Sequence, residues 1–256
     1  MIRGLLYTLR ISPGLAFREA ARRAFGISYR VNGVEVRDIA TFKAVRLALS
    51  RGFRLSREGD LYVLDVGWGK FYAPSLGLFD TLFHEDFSQL YGGADVAGAR
   101  VLDVGAYIGD TAVWFYRRGA RLVDAYEPVF ADLCNFNMEK NGLQPRCVDK
   151  ALWGYATTLK VSIEAAGTGQ RWGDFEVEAV AIGEVLGRYD VAKFDCEGCE
   201  WWLLQLPCDI LRKVPNYIVE IHGPPLPLLD KFWGCGFRLI RTTMVERYVQ
   251  VVTFRL

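Results

Sequence analysis

The chain has 256 residues, 51% of them apolar, and a formal net charge of +1. That supplies a substantial core, in one large domain or one domain with an appendage, and implies no overall electrostatic pull toward nucleic acid. No apolar run reaches the roughly 20 residues that cross a bilayer, and the N-terminus lacks the apolar stretch and cleavage site of a signal peptide, so a soluble cytoplasmic protein is expected.

Residues 2–25 have helical character, broken at Pro13-Gly14, with Arg3, Arg10, Arg18, Arg22 and Arg23 set against Glu19. A basic amphipathic arm of this kind can touch a membrane surface or a nucleic acid, and a solvated helix face is the plainer reading. Residues 28–37 suit a short hairpin turning at Asn32-Gly33, and Asp38 can cap a helix over 39–51. Strands at 61–66 and 69–73 suit a second hairpin, and 78–91 reads as a helix leading into the core. The domain boundary falls near 76–95, giving an N-terminal α+β extension (1–77) and a main domain (78–256).

From residue 100 strand and helix alternate, the pattern of a doubly wound, mostly parallel sheet. Strands are expected at 100–104, 121–126, 145–149, 191–195 and 216–221, with helices at 110–118, 130–140, 181–187 and from Cys199. An excursion at 156–180 carries β-like segments and a loose tip at Gly167, Gly169 and Gly173. Residues 236–241 and 247–254 suit a closing antiparallel hairpin.

The most informative segment is Val101-Leu-Asp-Val-Gly-Ala-Tyr-Ile-Gly-Asp110 together with Tyr126-Glu127-Pro128. A buried strand enters a glycine turn, a helix follows, and a second strand ends on a carboxylate. This is the layout of a nucleoside-binding βαβ unit, in which the acidic side chain accepts from the ribose hydroxyls. The G-x-G-x-x-G form that cradles a pyrophosphate is absent, so S-adenosylmethionine fits better than NAD. Residues 63–67 repeat Val-Leu-Asp-Val-Gly, but Trp68-Gly-Lys-Phe-Tyr-Ala-Pro74 follows without a helical period, which marks that copy as a decoy.

Two further landmarks are Lys193-Phe-Asp-Cys-Glu-Gly-Cys-Glu200 and Glu220-Ile-His222. With Gly105-Ala-Tyr-Ile-Gly109 and Glu127-Pro128, they resemble in order the G-A-N-I-G turn, E-P pair, K-I-D-V-E-G-x-E segment and E-x-H strand of the FkbM family of S-adenosylmethionine-dependent methyltransferases. Tyr107 stands where members carry asparagine. The resemblance implies a Rossmann-like, seven-stranded class I methyltransferase fold over residues 78–256, a 78–91 segment that approaches the cofactor, and hydroxyl acceptors on sugars, glycans or small metabolites.

In this architecture Gly105, Ala106 and Gly109, with Tyr107 among them, are expected to bring backbone amides to the methionine part of the donor. Asp103 orients the turn or reaches the ammonium, and Asp110 and Thr111 open and cap the helix. Glu127, followed by Pro128, holds the ribose. Asp149, Lys150 and Ala151 fall where adenine is recognised. Asp195 faces the methyl-transfer position, and with Glu197 and Glu200 it forms an acidic group that can position a hydroxyl, act as base or bind a divalent metal. Glu200 also suits a helix N-terminus on dipole grounds alone. No metal ligand set is assigned. Glu220 and His222 share a strand face, and His222 suits a base of near-neutral pKa. The N/D-P-P-Y/F element of exocyclic-amine methylation is absent after Asp195. Cys196-x-x-Cys199 could be a metal or redox pair; without a second such pair the plainer reading is two small residues filling a motif, although disulfides do occur inside hyperthermophiles.

The expected function is O-methylation with S-adenosyl-L-methionine, acting on a hydroxyl-bearing small molecule or glycan. The alternatives are an RNA methyltransferase recruiting the basic arm and a non-catalytic scaffold that binds the same donor.

Overall fold

The computed structural model describes residues 2–165 and 170–256, so the expected loose tip at Gly167 and Gly169 lies outside the described residues. Two compact units are present, the first running to His84 and the second beginning at Glu85. Among the described residues no helix is long and apolar enough to cross a membrane.

The first unit holds α1 (Ile2–Ile11), α2 (Pro13–Phe25), a hairpin of β1 (Tyr29–Val31) and β2 (Val34–Val36), α3 (Ile39–Ser50), the antiparallel strands β3 (Arg54–Glu58), β4 (Leu61–Asp65) and β5 (Lys70–Ala73), and α4 (Asp80–His84). Ser12 caps α2 by accepting the Leu15 amide at 3.3 Å, with Pro13 pre-set for the first turn. Asp38 caps α3 as expected, accepting the Thr41 amide at 2.7 Å. The decoy pentapeptide lies in the β4–β5 hairpin.

The arginines of α2 are not a plain solvated face. Glu19 is fully buried, and its carboxylate accepts from Arg22 at 2.8 Å and Arg23 at 2.6 Å. Arg18 and Arg22 also donate to the carbonyls of Arg30 and Arg37. These bonds hold α2 on the β1–β2 hairpin.

The second unit opens with α5 (Phe87–Leu90) and continues through β6 (Arg100–Val104), α6 (Asp110–Arg117), β7 (Leu122–Tyr126), α7 (Ala131–Lys140) and β8 (Cys147–Val148). A separate three-stranded sheet follows, of β9 (Ala151–Trp153), β10 (Thr157–Ala165) and β11 (Gln170–Ala181). Then come α8 (Ile182–Val185), β12 (Val191–Phe194), α9 (Cys208–Leu211), β13 (Asn216–His222), α10 (Leu226–Gly234), β14 (Arg238–Glu246) and β15 (Val249–Arg255).

The main sheet has seven strands in the order β14-β15-β13-β12-β6-β7-β8. β8, β7, β6, β12 and β13 run parallel, and β15 and β14 close the edge antiparallel. This is the doubly wound, Rossmann-like sheet that the alternation predicts. Its strand order reverses between β6 and β12, so the carboxyl ends of those two strands form the switch point where such sheets bind ligands. Both strands are buried along nearly their whole length, as central parallel strands must be.

Three expectations change. The 78–91 helix is broken: a tight turn at Leu76–Phe79 leads into α4, and Asp86 then accepts the amides of Ser88 and Gln89 and starts α5 afresh. The 145–149 strand shrinks to Cys147–Val148, because Pro145 has no amide to donate to the ladder. The segment after Cys199 winds as a 3-10 helix, Cys199–Gln205, which stops before Pro207.

The cysteines are corrected as well. They form three disulfides, Cys134–Cys147, Cys196–Cys199 and Cys208–Cys235, so the C-x-x-C pair is not merely small filler. The first ties α7 to β8 across a separation of 13 residues and the third ties α9 to the end of α10 across 27. Loops of that size give about 3 kcal/mol each in the chain-entropy picture.

Burial by itself would raise the Glu19 carboxyl, but the Arg22 and Arg23 bonds outweigh it and hold it below its ordinary value of 4.5. Its contribution is therefore complete above the unfolded value and is lost as pH falls through the lower folded one. Glu19→Gln is expected to destabilise the protein by about 2 kcal/mol at neutral pH and to flatten the acid limb of its stability curve, as urea unfolding from pH 3 to 7 would measure.

Candidate active site

The site begins with the register of β6 on β12. Lys193 lies opposite Asp103 in the ladder, so both side chains leave the sheet on the same face. Both residues are buried. The Lys193 ammonium stands 3.1 Å from Asp103 Oδ1 and 3.4 Å from Asp195 Oδ2, and donates to the Gly105 carbonyl at 2.8 Å. Burial alone would lower its pKa, but the Asp103 and Asp195 charges override this and keep the ammonium protonated.

Gly105 follows directly. A Cβ there would lie 1.7 Å from the Asp195 carbonyl oxygen, and its φ is +75°. Only glycine fits where the ends of β6 and β12 approach so closely. Tyr107 (φ 48°) and Glu197 (φ 55°) hold left-handed conformations in the turns after the two strands. Such conformations are costly for non-glycine residues and persist where surrounding structure enforces them.

The amides of this turn behave differently from expectation. Gly105 and Ala106 both donate to the Tyr126 carbonyl, at 2.9 and 3.4 Å, and Gly109 donates to Ala106 at 2.7 Å. They are thus spent within the protein, and the space a Gly105 side chain would take is filled by the Asp195 carbonyl. Asp103 orients the turn and does not reach outward: its Oδ2 accepts the Thr111 hydroxyl at 2.6 Å, and Lys193 takes Oδ1. Nor do Asp110 and Thr111 supply the helix cap. Gly109 is the capping residue, and Asp110 accepts the Thr111 amide at 2.9 Å.

Glu127 sits at the carboxyl end of β7, almost completely buried. Oε2 accepts the Tyr107 amide at 3.0 Å, and Oε1 accepts those of Val129 at 2.9 Å and Phe130 at 3.1 Å. The carboxylate therefore locks the glycine turn to the Glu127-Pro128 turn. One acceptor position remains on Oε2 among the described residues. Burial raises its pKa, and the three amides oppose the rise. The rings of Tyr107 and Phe130 meet edge to face at 5.3 Å beside it. At the end of β8 Asp149 is exposed, Lys150 pairs with Glu178 at 2.8 Å, and Ala151 opens β9.

The carboxyl ends of β12 and β13 bring Asp195, Glu220 and His222 together, with donor atoms all within 4.8 Å of one another. Glu200 is fully buried and organises the loop: it accepts the amides of Gly198 at 2.8 Å and His222 at 3.2 Å and meets His222 Nδ1 at 3.1 Å. His222 Nε2 faces Glu197 at 3.3 Å and Glu220 at 3.5 Å. Burial would lower the imidazole pKa, yet the Glu200 bond and the surrounding carboxylates push it up. His222 is therefore not the base of near-neutral pKa that its sequence suggests. The Glu220 carboxyl is raised by burial and then by the charges of Asp195 and Glu85.

Three residues have site roles that the sequence left unassigned. Lys193 had a readable signal, a lone cation in an otherwise apolar strand. Tyr91 and Glu85 had none. The Tyr91 hydroxyl lies 3.2 Å from Asp195 and 3.3 Å from Glu85, whose carboxyl is pushed up to about 8 by burial and by Asp195. With one phenolic proton, Tyr91 donates to a single carboxylate, and protonated Glu85 can supply the second bond.

No family model matches the chain. Uncharacterized protein 65 of Sulfolobus islandicus filamentous virus is 28% identical over 144 residues, which is 56% of this chain and 72% of that protein. Among solved structures, the chain is similar to the ribosomal protein L11 methylase of Lactobacillus delbrueckii subsp. bulgaricus at 15% identity and a TM-score of 0.39, covering 90% of this chain and 82% of that one. It is also similar to a Streptococcus mutans protein described as a SAM-dependent methyltransferase, at 12% identity and a TM-score of 0.48, covering 98% of this chain and 66% of that one. Neither likeness carries a function to this chain; the fold is read from its own strand order.

Lys193→Met is expected to cost about 3–5 kcal/mol, because it leaves two carboxylates facing each other without a cation. Urea unfolding at neutral pH checks this, and a loss under about 1 kcal/mol would contradict the pairing.

Proposed function

We propose that the chain is a methyltransferase that binds S-adenosyl-L-methionine at the ends of β6 and β7 and methylates a hydroxyl oxygen held at the ends of β12 and β13. The observation that carries this reading is the pairing of two unlike half-sites at one topological switch point. One has a glycine turn and a buried carboxylate with an acceptor to spare. The other has Asp195, Glu220 and His222. The methyltransferase domain is taken as residues 78–256, and 1–77 as its extension.

The residues fit the donor. Gly105 lets the glycine turn close against the Asp195 carbonyl, and the spare position on Glu127 Oε2 suits a ribose hydroxyl. The edge-to-face pair of Tyr107 and Phe130 gives an aromatic wall beside it. Asp149 stands where the adenine edge would fall, while Lys150 is taken up by Glu178. The donor, when bound, supplies an electrophilic methyl group. The protein's part is to orient the acceptor, exclude water and accept its proton. Asp195 and Glu220 take hydrogen bonds from the acceptor, and His222, fixed through Glu200, orients them. Glu197, largely exposed, stands where the released proton can pass to solvent.

The resemblance to the FkbM family in four segments favours a sugar, glycan or small-metabolite hydroxyl. RNA is the second reading. It is supported by the basic α1–α2 arm, although Arg18, Arg22 and Arg23 are engaged within the fold. Labelled donor incubated with fractionated extract separates the two by the fraction that gains label.

Glu127→Gln is expected to weaken S-adenosylhomocysteine binding at least about tenfold in calorimetry, with the circular dichroism spectrum retained. Unchanged affinity would place the ribose elsewhere.

A further inference from the structure

The geometry points to a divalent-cation site formed by Asp195, Glu220 and His222. Two donors held about 2.0–2.3 Å from one ion stand at most about 4.6 Å apart. The donor atoms of these residues already lie within 4.8 Å of one another, so small side-chain rotations suffice. The three sit at the ends of adjacent strands paired in register, the rigid placement a metal site needs.

Two independent observations point to a ligand. First, Glu220 is 8% exposed, and its carboxylate accepts no hydrogen bond from the described residues. Its near cationic neighbour is His222 Nε2, at 3.5 Å. A buried carboxyl whose facing imidazole stands as far off as 3.5 Å is poorly satisfied, and a metal ion would satisfy it. Second, His222 is held as metal-ligating histidines are held. Nδ1 is turned to the buried Glu200 carboxylate at 3.1 Å, which fixes the ring and presents Nε2 to Glu220 and Glu197. Lys193 and Tyr91 both engage Asp195 through Oδ2, leaving Oδ1 for the ion.

One imidazole and two carboxylates suit a first-row divalent cation such as Mn2+ or Zn2+ better than Mg2+, which prefers oxygen ligands throughout. Three protein ligands leave positions open for a further oxygen. Resting on the methyltransferase reading, that oxygen is the acceptor hydroxyl. The ion lowers its pKa, its proton leaves to solvent, and the oxygen forms a bond to the donor methyl. The sulfur–methyl bond breaks, with its electron pair passing to sulfur to give the neutral thioether.

The test uses the full chain stripped with EDTA and titrated with Mn2+, with free ion read by electron paramagnetic resonance. The expected result is one Mn2+ per chain, bound at least about tenfold more weakly by Glu220→Gln and by His222→Gln. A pulsed measurement on the wild type should also show nitrogen coupling from a ligating imidazole, which needs no variant. No stoichiometric Mn2+, no nitrogen coupling, or equal affinity in both variants would overturn the site. S-adenosylhomocysteine calorimetry on the same metal-free protein keeps the two readings apart. Donor binding without Mn2+ sinks the metal site alone, and Mn2+ binding without donor sinks the donor site alone.

Discussion

The ammonium of Lys193 is enclosed between the two central strands, and the ends of both are fastened to it. Asp103 anchors it from β6, Asp195 approaches from the turn after β12, and the Gly105 carbonyl completes the set. A buried lysine of this kind is tolerable only when paired and hydrogen-bonded. The consequence is geometric. The glycine turn and the Asp195 turn cannot separate without exposing an uncompensated charge in the core. Gly105 lacks a Cβ for the same reason, since the Asp195 carbonyl occupies that space. The two turns are thereby held as one object.

Around that anchor the two halves of the site are built by different means. At the end of β7 a carboxylate binds backbone amides, so Glu127 fixes two turns and keeps one acceptor position. At the ends of β12 and β13 carboxylates crowd one another around an imidazole. There the protein holds groups at protonation states they would not have in water, with Glu85 pushed up to about 8 and His222 raised by its acidic neighbours. Perturbed groups of this sort gather at functional sites, where reactivity is preferred over local stability. The left-handed backbone at Tyr107 and Glu197 falls in the same two turns.

The sheet was legible because its signals are periodic. Buried runs such as Val101–Val104 and Val191–Phe194 separated by helix-length segments specify a parallel sheet, whatever their detailed partners. At the site, position was legible for Gly105, in a tight turn after the first core strand, and for Glu127, at the end of the next. It was opaque where the role depends on a partner distant in sequence. Nothing near Asp103 announces Lys193, and nothing near Tyr91 announces Asp195. The roles given to the turn amides failed for a related reason: a sequence does not say which amides the protein will use itself, and the Tyr126 carbonyl takes two of them. His222 read as a base of ordinary pKa until the carboxylates around it were in place. Cys196 and Cys199 read as filler because pairing is a property of the folded chain.

The central claim is that a nucleoside lies across the ends of β6 and β7. A crystal structure of the protein with S-adenosylhomocysteine tests it most directly. The account predicts a ribose hydroxyl within hydrogen-bonding distance of Glu127 Oε2 and the thioether sulfur turned toward Asp195. An adenosyl group lodged away from Glu127, or those strand ends covered by the protein's own side chains, would contradict it.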